Sequence, residues 1–314
     1  MVKPNTANIV AYSGGVDSSL VAALVQRTFS DSDGFDSSSF VRDGDNNNGL
    51  SKSGSVLAIL GISPAVPKSQ ILMARRVADK IGIPLREVET SEGADETYMA
   101  NDGHACYVCK THLYSTLKMV AKSAHEQIGV AGAEEDLQRN VLMFNGTNLE
   151  DTKDPTRLGL LAASEFEVHS PLDCVTKDQV RQAARHLGLP NWNSAASPCL
   201  RSRLAMNVLA TEGHLRAVEH AEVFVRRILD LDETVNARVR MLPGELAMVE
   251  LDAAVLGVLG KDVARDLELH GFEQKCIEWG FKSFGGVRSF RTGSVAAMRK
   301  IETPRRDKVA VAHS

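Results

Sequence analysis

NIVAYSGGVDSSLVAALV, residues 8 to 25, decides the fold. NIVAYS, 8 to 13, is a short apolar run containing Val10 and Tyr12 and reads as a buried strand. Gly14-Gly15 follow, then Asp17-Ser18 and an apolar run from Leu20 to Val25 that opens a helix. A strand that turns through glycines into a helix start gathers backbone N–H groups and makes an anion site. The spacing is neither the GxxxxGK of a Walker loop nor the GxGxxG of a dinucleotide fold, so γ-phosphate transfer and NAD binding are not favoured. Gly14 and Gly15 allow close backbone approach, and Ser13, Ser18 and Ser19 carry hydroxyls that can donate to phosphate oxygens. Asp17 suits such a place only if Mg²⁺ separates it from the phosphates.

Working outward, VLAILG at 56 to 61 and PLREVE after it read as strands, with the helical spacing of SQILMARRVADKI between them. HLYSTLKMVAKSAHEQIG reads as helix, VLMFNG at 141 to 146 as strand, and KDQVRQAARHLG at 177 to 188 as helix with Gly188 near its stop. This alternation predicts an α/β fold with an open, mainly parallel sheet, whose ligands sit beyond the strand C-termini. Residues 30 to 55 contain 8 Ser, 5 Asp, 4 Gly and 3 Asn and read as a flexible surface insertion. From 206 the pattern changes. HLRAVEHAEVFVRRILD is an amphipathic helix, ARVRMLPGELAMVELD two strands around Pro243-Gly244, and DVARDLELHGF a helix before FKSFGGVRSF. The expected division is 1 to 205 for the nucleotide domain, 206 to 298 for a smaller α+β domain serving substrate binding or oligomerisation, and 299 to 314 for a flexible tail.

The chain has 314 residues, 36 Lys plus Arg against 40 Asp plus Glu, and a formal net charge of -4. No global basic field advertises a nucleic-acid partner. The first residues lack the apolar core of a signal peptide and no run of 18 apolar residues occurs, so neither secretion nor a membrane span is expected, and the cytoplasm is the expected location. Five cysteines, Cys106, Cys109, Cys174, Cys199 and Cys276, are too few for a disulfide framework. Cys106 and Cys109 form a CxxC whose spacing suits a metal ion, an iron-sulfur cluster or a dithiol. Cys199, in SPCLRSRL, is flanked by Arg201 and Arg203, which would favour its thiolate. Arg238 and Arg240 in ARVR share one strand face and suit a phosphate or carboxylate. Glu222 and Glu250 are weaker metal candidates.

SGGVDSS resembles the SGGxDS signature of the PP-loop ATP pyrophosphatases, which adenylate a carboxylate or carbonyl and release pyrophosphate. The resemblance implies that Lys177 reaches the released phosphates, that adenine lies near Gly61-Ile62-Ser63, and that Gly146, Thr147 and Arg157 contact nucleotide. CYVCK, NGTN with Arg157-Leu158-Gly159, SPL with Lys177, GLPNWNSAASPCLRSR and FRTGS resemble, over most of the chain, the ATP-dependent sulfur transferases of nickel-pincer nucleotide cofactor assembly. That likeness implies a small carboxylated pyridinium mononucleotide as substrate, ATP and Mg²⁺, and phosphate recognition by Arg203, Arg238 and Arg240 in a homo-oligomer. Its three-cysteine form implies a [4Fe-4S] cluster on Cys106, Cys109 and Cys199; other members sacrifice the cysteine equivalent to Cys199 and keep dehydroalanine. The sulfur donor is left open. A tRNA thiolase, an NAD-synthase-like amidating ligase and a nucleotide-binding module without turnover are the competing readings.

Overall fold

The computed structural model describes residues 6–32, 55–127, 141–154, 157–260 and 262–291. Most of the insertion expected at 30 to 55, the tail at 299 to 314 and the end of FRTGS lie outside the described residues.

β1 (Ala7–Tyr12) is buried along its whole length, as a strand flanked on both sides and covered on both faces must be. It pairs in parallel with β2 (Ser55–Ile62) on one side and with β4 (Val141–Phe144) on the other. β3 (Leu85–Glu89) completes the parallel order β3-β2-β1-β4. The expected α/β class and open parallel sheet are therefore found. α1 (Val16–Ser32) leaves the Gly14-Gly15 turn after β1. α2 (Lys68–Ile81) returns from β2, burying Ala74, Val77 and Ala78 and ending at Gly82 in the left-handed conformation.

Between β3 and β4 lie α3 (Glu96–Ala100) and the long α4 (Ala105–Gln127). The CxxC pair therefore sits in the first turns of a helix. The three-residue step brings both thiols near one face. After β4 come α5 (Leu149–Thr152), α6 (Gly159–Glu165) and α7 (Lys177–His186). α5 and α7 each start with a reciprocal capping box, Asn148 with Asp151 and Thr176 with Gln179, which fixes where Asp151 and Lys177 stand.

The C-terminal part packs α8 (Glu212–Ile228) against β5 (Ala237–Leu242), which forms a sheet with β6 (Leu246–Leu251) and β7 (Ser283–Ser289). β5 and β6 are antiparallel and β6 and β7 parallel. α9 (Ala253–Leu259), α10 (Val263–Leu269) and α11 (Phe272–Trp279) fill the β6 to β7 connection. Its core runs from Val218 and Ala221 through Val239, Val249 and Phe272, and takes in Ala65, Tyr98, Ala105, Leu200 and Leu204 from the first part of the chain. The stretch around Cys199 is thus anchored in apolar packing shared by both halves.

Candidate functional site

The β1 to α1 turn is held by contacts that leave no room for a side chain. Gly14 has φ +72°, and a Cβ there would lie 2.5 Å from the Cβ and 2.7 Å from the Cα of Ala74 on α2. Only glycine satisfies both conditions. On the opposite side, a Cβ on Gly146 would meet the Ser18 nitrogen at 2.6 Å and the Asp17 carbonyl carbon at 2.8 Å. The expected nucleotide residue Gly146 therefore acts by letting the β4 to α5 turn touch the phosphate loop. Gly61, at the end of β2, is closed off by Leu113 and Thr90 at 3.0 and 3.3 Å from the same hypothetical atom.

The serines divide their work. Ser13 is exposed, and its hydroxyl pairs with that of Ser18 at 3.0 Å. Ser18 Oγ donates to the Gly15 carbonyl at 3.2 Å, while fully buried Ser19 accepts from Asn191 Nδ2 at 3.0 Å. Ser18 and Ser19 are buried and brace the turn, Ser18 through Ser13 and Gly15 and Ser19 through Asn191 and Tyr12, while Ser13 faces outward.

Around this turn runs a connected polar network. Lys177 Nζ donates to Asp17 Oδ2, and Asn148 Nδ2 donates to Asp17 Oδ1 at 3.1 Å. Asn148 caps α5 together with Asp151, which pairs with Arg157 at 2.8 Å. Burial raises the Asp151 carboxyl above its ordinary value, and Arg157 pulls against that rise. Thr147 N–H donates to Asn145 Oδ1 at 3.0 Å, which keeps the turn closed. Asp17, Lys177, Gly146, Thr147 and Arg157, spread over 160 residues of sequence, therefore belong to one assembly. Mg²⁺ commonly takes one or two carboxylates and completes its shell with phosphates and water, so Asp17 is a fitting ligand without a preformed cage.

The thiols converge as well. Cys106 and Cys109 from α4 and Cys199 from the turn before Leu200–Arg203 surround Tyr98 and Arg201. Arg201 is buried and gives its donors to Asn101 Oδ1 at 2.7 Å and to Cys106 Sγ at 2.9 Å. This departs from the expected arrangement, in which Arg201 serves its sequence neighbour Cys199; the turn swings the guanidinium across to α4. Burial lowers the basicity of Arg201, but Cys106, Cys199, Tyr98 and Cys109 outweigh it and raise the pKa. Burial pushes the Cys109 thiol up to about 12, aided by Glu92, Cys199 and Cys106 and opposed by Lys110. Glu92 lies 4.0 Å from the Cys109 sulfur, is itself buried, and has an Oε2 with no hydrogen-bond partner. It lines a cavity of about 110 Å³ with Ser63, Tyr98, Ala210 and Leu215.

Among the described residues, no group of three or more His, Cys, Asp or Glu side chains is placed to hold one metal ion. A mononuclear zinc site needs every sulfur about 2.3 Å from the same ion, so it is not formed. In an iron-sulfur cluster each thiolate takes a different iron and the sulfurs stand farther apart, and three half-buried thiols gathered around Arg201 are the donor types such a cluster takes.

The arginines expected at the substrate are buried rather than solvated. Arg203 pairs with Glu222 at 2.9 Å and also holds the Pro198 and Cys199 carbonyls, the latter at 2.9 Å. Arg240 pairs with Glu250 at 2.7 Å and donates to the Ser202 carbonyl at 2.6 Å; Arg288 shares Glu250 at 2.7 Å. Glu222 and Glu250, weak metal candidates by sequence, are counter-ions here. Arg238 donates to the Ala237 carbonyl at 2.9 Å and to that of Ala196. Burial lowers its pKa to about 10, and Arg203, Arg226 and Arg240 push the same way against Glu222. Positive charge is in excess beside the Cys199 loop.

No family model matches the chain. It is 32% identical over 222 residues to the uncharacterized protein slr1717 of Synechocystis sp., an alignment covering 70% of this chain and 69% of the relative. The chain belongs to the family of that cyanobacterial protein. A more distant relative, 26% identical over 299 residues and covering 94% of this chain and 91% of its own, is the pyridinium-3,5-bisthiocarboxylic acid mononucleotide synthase of Lactiplantibacillus plantarum. Among solved structures, NMN synthetase from Francisella tularensis matches 62% of this chain and 67% of its own at 15% identity and a TM-score of 0.38. No helix among the described residues is long and apolar enough to cross a membrane.

Sequence reasoning missed Glu92, Asn101, Tyr98, Gln70 and Asn191. Each acts through contacts distant in the chain, and none stands at a spacing that marks it. Asn191 lies within the quoted run GLPNWNSAASPCLRSR, but nothing in that run says that its amide meets Gly14.

Proposed function

We propose that the protein is an ATP-dependent, AMP- and pyrophosphate-forming sulfur transferase that converts carboxylates of a pyridinium mononucleotide to thiocarboxylates. The observation that carries this reading is the connection between the two sites. Residues 65 to 74 touch both, because the Ala65 carbonyl accepts from Leu200 N–H at 2.7 Å, next to Cys199, while Gln70 and Ala74 hold the phosphate loop. An adenylating site and a thiol pocket tied to one short segment suit an activation step followed by sulfur delivery. The likeness to a bisthiocarboxylic acid mononucleotide synthase supports the same substrate class.

In this reading the turn Ser13 to Ser19 takes the β and γ phosphates through backbone N–H groups and the Ser13 hydroxyl. Asp17 would hold Mg²⁺, which when bound would screen the phosphate charge. Lys177 exchanges Asp17 for the departing pyrophosphate, a short swing because Nζ already stands at the mouth of the turn. A carboxylate oxygen attacks the α-phosphorus and pyrophosphate leaves; sulfur then attacks the acyl carbon and AMP leaves. The first step is needed because AMP is a far better leaving group than oxide. Arg203, Arg238 and Arg240 supply the positive field for the substrate phosphate. Cys106, Cys109 and Cys199 would hold a [4Fe-4S] cluster, which when bound offers an open iron for an additional sulfide.

The test is product analysis after incubation with ATP, Mg²⁺ and the carboxylated pyridinium mononucleotide. AMP and pyrophosphate should form only when the carboxylate is present, and anaerobic protein supplied with sulfide should yield a product in which oxygen is exchanged for sulfur. ADP and inorganic phosphate as first products would refute the assignment.

A further inference from the structure

Two side-chain amides approach the phosphate loop from different elements, and both show the same asymmetry. Gln70, in the first turn of α2, donates Nε2–H to the Ser13 carbonyl at 2.8 Å. Asn191, just past α7 and almost wholly buried, donates Nδ2–H to the Gly14 carbonyl at 2.8 Å and to Ser19 Oγ at 3.0 Å. In each amide the carbonyl oxygen is buried and has no hydrogen-bond partner. A buried unpaired carbonyl is costly, so what the amide contributes lies at its NH₂ end. The assignment of oxygen and nitrogen follows from the acceptor, since a flipped amide would set oxygen against a backbone carbonyl.

The consequence follows from peptide geometry. In a planar trans peptide the carbonyl of one residue and the N–H of the next point in opposite directions. Fixing the Ser13 carbonyl therefore fixes where the Gly14 N–H points, and fixing the Gly14 carbonyl fixes the Gly15 N–H. Gly15 N–H is only 3.4 Å from the exposed Ser13 hydroxyl, a long contact that a phosphate oxygen can replace. Glycine peptides are otherwise the easiest in the chain to rotate.

We propose that Gln70 and Asn191 are positioning residues that lock the Ser13–Gly14 and Gly14–Gly15 peptide planes with their N–H groups aimed at the pyrophosphate part of ATP. The inference rests on the reading that this loop takes the ATP phosphates. It assigns to two residues outside the SGGVDSS run the preorganisation on which anion binding by backbone dipoles depends.

Binding of Mg²⁺-ATP, Mg²⁺-pyrophosphate and AMP to the full chain tests it, with Asn191→Leu and Gln70→Met as neutral, near-isosteric variants that lack the donor. Each should weaken ATP and pyrophosphate by on the order of tenfold, the size of one lost hydrogen bond to a well-fixed acceptor. AMP, which lacks the two phosphates the loop takes, should bind as it does to the wild type. The double variant should weaken ATP and pyrophosphate further than either single one, with the two factors coupled because the peptides are adjacent. Gln70 is only half-buried, so its variant serves even where Asn191→Leu impairs folding. ATP and pyrophosphate affinities within twofold of the wild type in Gln70→Met, and in a folded Asn191→Leu, would overturn the proposal, as would an equal fall in AMP affinity. Wild-type protein that binds AMP but not pyrophosphate would refute the phosphate-loop reading itself, and this inference with it.

Discussion

Gly146 lies against the start of the phosphate-loop helix so closely that a methyl group on its Cα would stand 2.6 Å from the Ser18 nitrogen. The atoms in the way are backbone and cannot rotate aside. Gly146→Ala is therefore expected to destabilise the fold by about 1–3 kcal/mol through overpacking and to push the β4 turn off Asp17. Urea unfolding and ATP affinity should fall together in this variant. A variant with wild-type stability and wild-type ATP binding would show that the turn yields without consequence.

Lys177 and Asp17 form an ion pair in which both side chains keep partial access to solvent. Such a pair contributes at most about 1 kcal/mol to stability. Lys177→Gln should unfold at nearly the wild-type urea concentration while the rate of AMP formation drops by about 10²-fold, the scale of losing one electrostatic contact to a developing anion. A large stability loss with normal turnover would make the lysine structural.

The reach of sequence reading differs between the two halves of the site. The turn between β1 and α1 was legible because strand, glycines and helix follow one another within 18 residues, and local chemistry dictates local conformation there. Lys177 was legible as a residue but not as a partner of Asp17, since capping of α7 by Thr176 and Gln179 is what aims it. Convergence of the cysteines could be required by a hypothesis but not read from spacing. It depends on shared packing of Tyr98, Ala105, Leu200 and Leu204. Arg201 shows the limit most plainly, for the residue two positions from Cys199 serves Cys106, 95 positions away. The same holds for Arg203 and Arg240, whose buried partners Glu222 and Glu250 come from a neighbouring helix and strand.

Arg238 is a buried cation among other arginines, and its pKa is lowered to about 10, first by burial. Under the proposed function, a substrate phosphate arriving there would relieve that cost. Arg238→Gln is therefore expected to leave the ligand-free protein as stable as the wild type to within about 1 kcal/mol, or to stabilise it, and to raise the KM for the mononucleotide at least tenfold. Thermal unfolding with and without added substrate separates the two effects. Destabilisation by several kcal/mol without a change in KM would place Arg238 in the framework alone.

Cys276 is fully buried in the C-terminal core, and burial, with help from Glu273, pushes its thiol from 9.0 up to about 12. Below pH 9 both folded and unfolded chains keep the proton. Between pH 9 and 12 only the unfolded chain releases it, so stability must fall as pH rises through that window. Cys109, also raised to about 12, adds a contribution of the same sign. Cys276→Ala should flatten the decline of urea stability between pH 8 and 10 relative to wild type. An unchanged slope would mean that the buried thiol carries no such linkage.

The sulfur chemistry separates a reusable enzyme from a consumed reagent. Three protein thiolates on a cluster leave one iron open, so anaerobically prepared protein should carry about four irons per chain at full occupancy. Alanine at Cys106, Cys109 or Cys199 should each reduce that iron, because all three thiols gather around Arg201. Alanine at exposed Cys174 or buried Cys276 should not, since neither belongs to that group. If Cys199 instead surrenders its own sulfur, its peptide should shift in mass to that of dehydroalanine after a single turnover, and activity should stop at one transfer per chain. That shift in protein that remains free of iron after anaerobic reconstitution would replace the cluster by sacrifice while leaving adenylation intact. An intact Cys199 thiol, no iron and sustained thiocarboxylate formation would exclude both routes and point to sulfide attacking the acyl-adenylate directly.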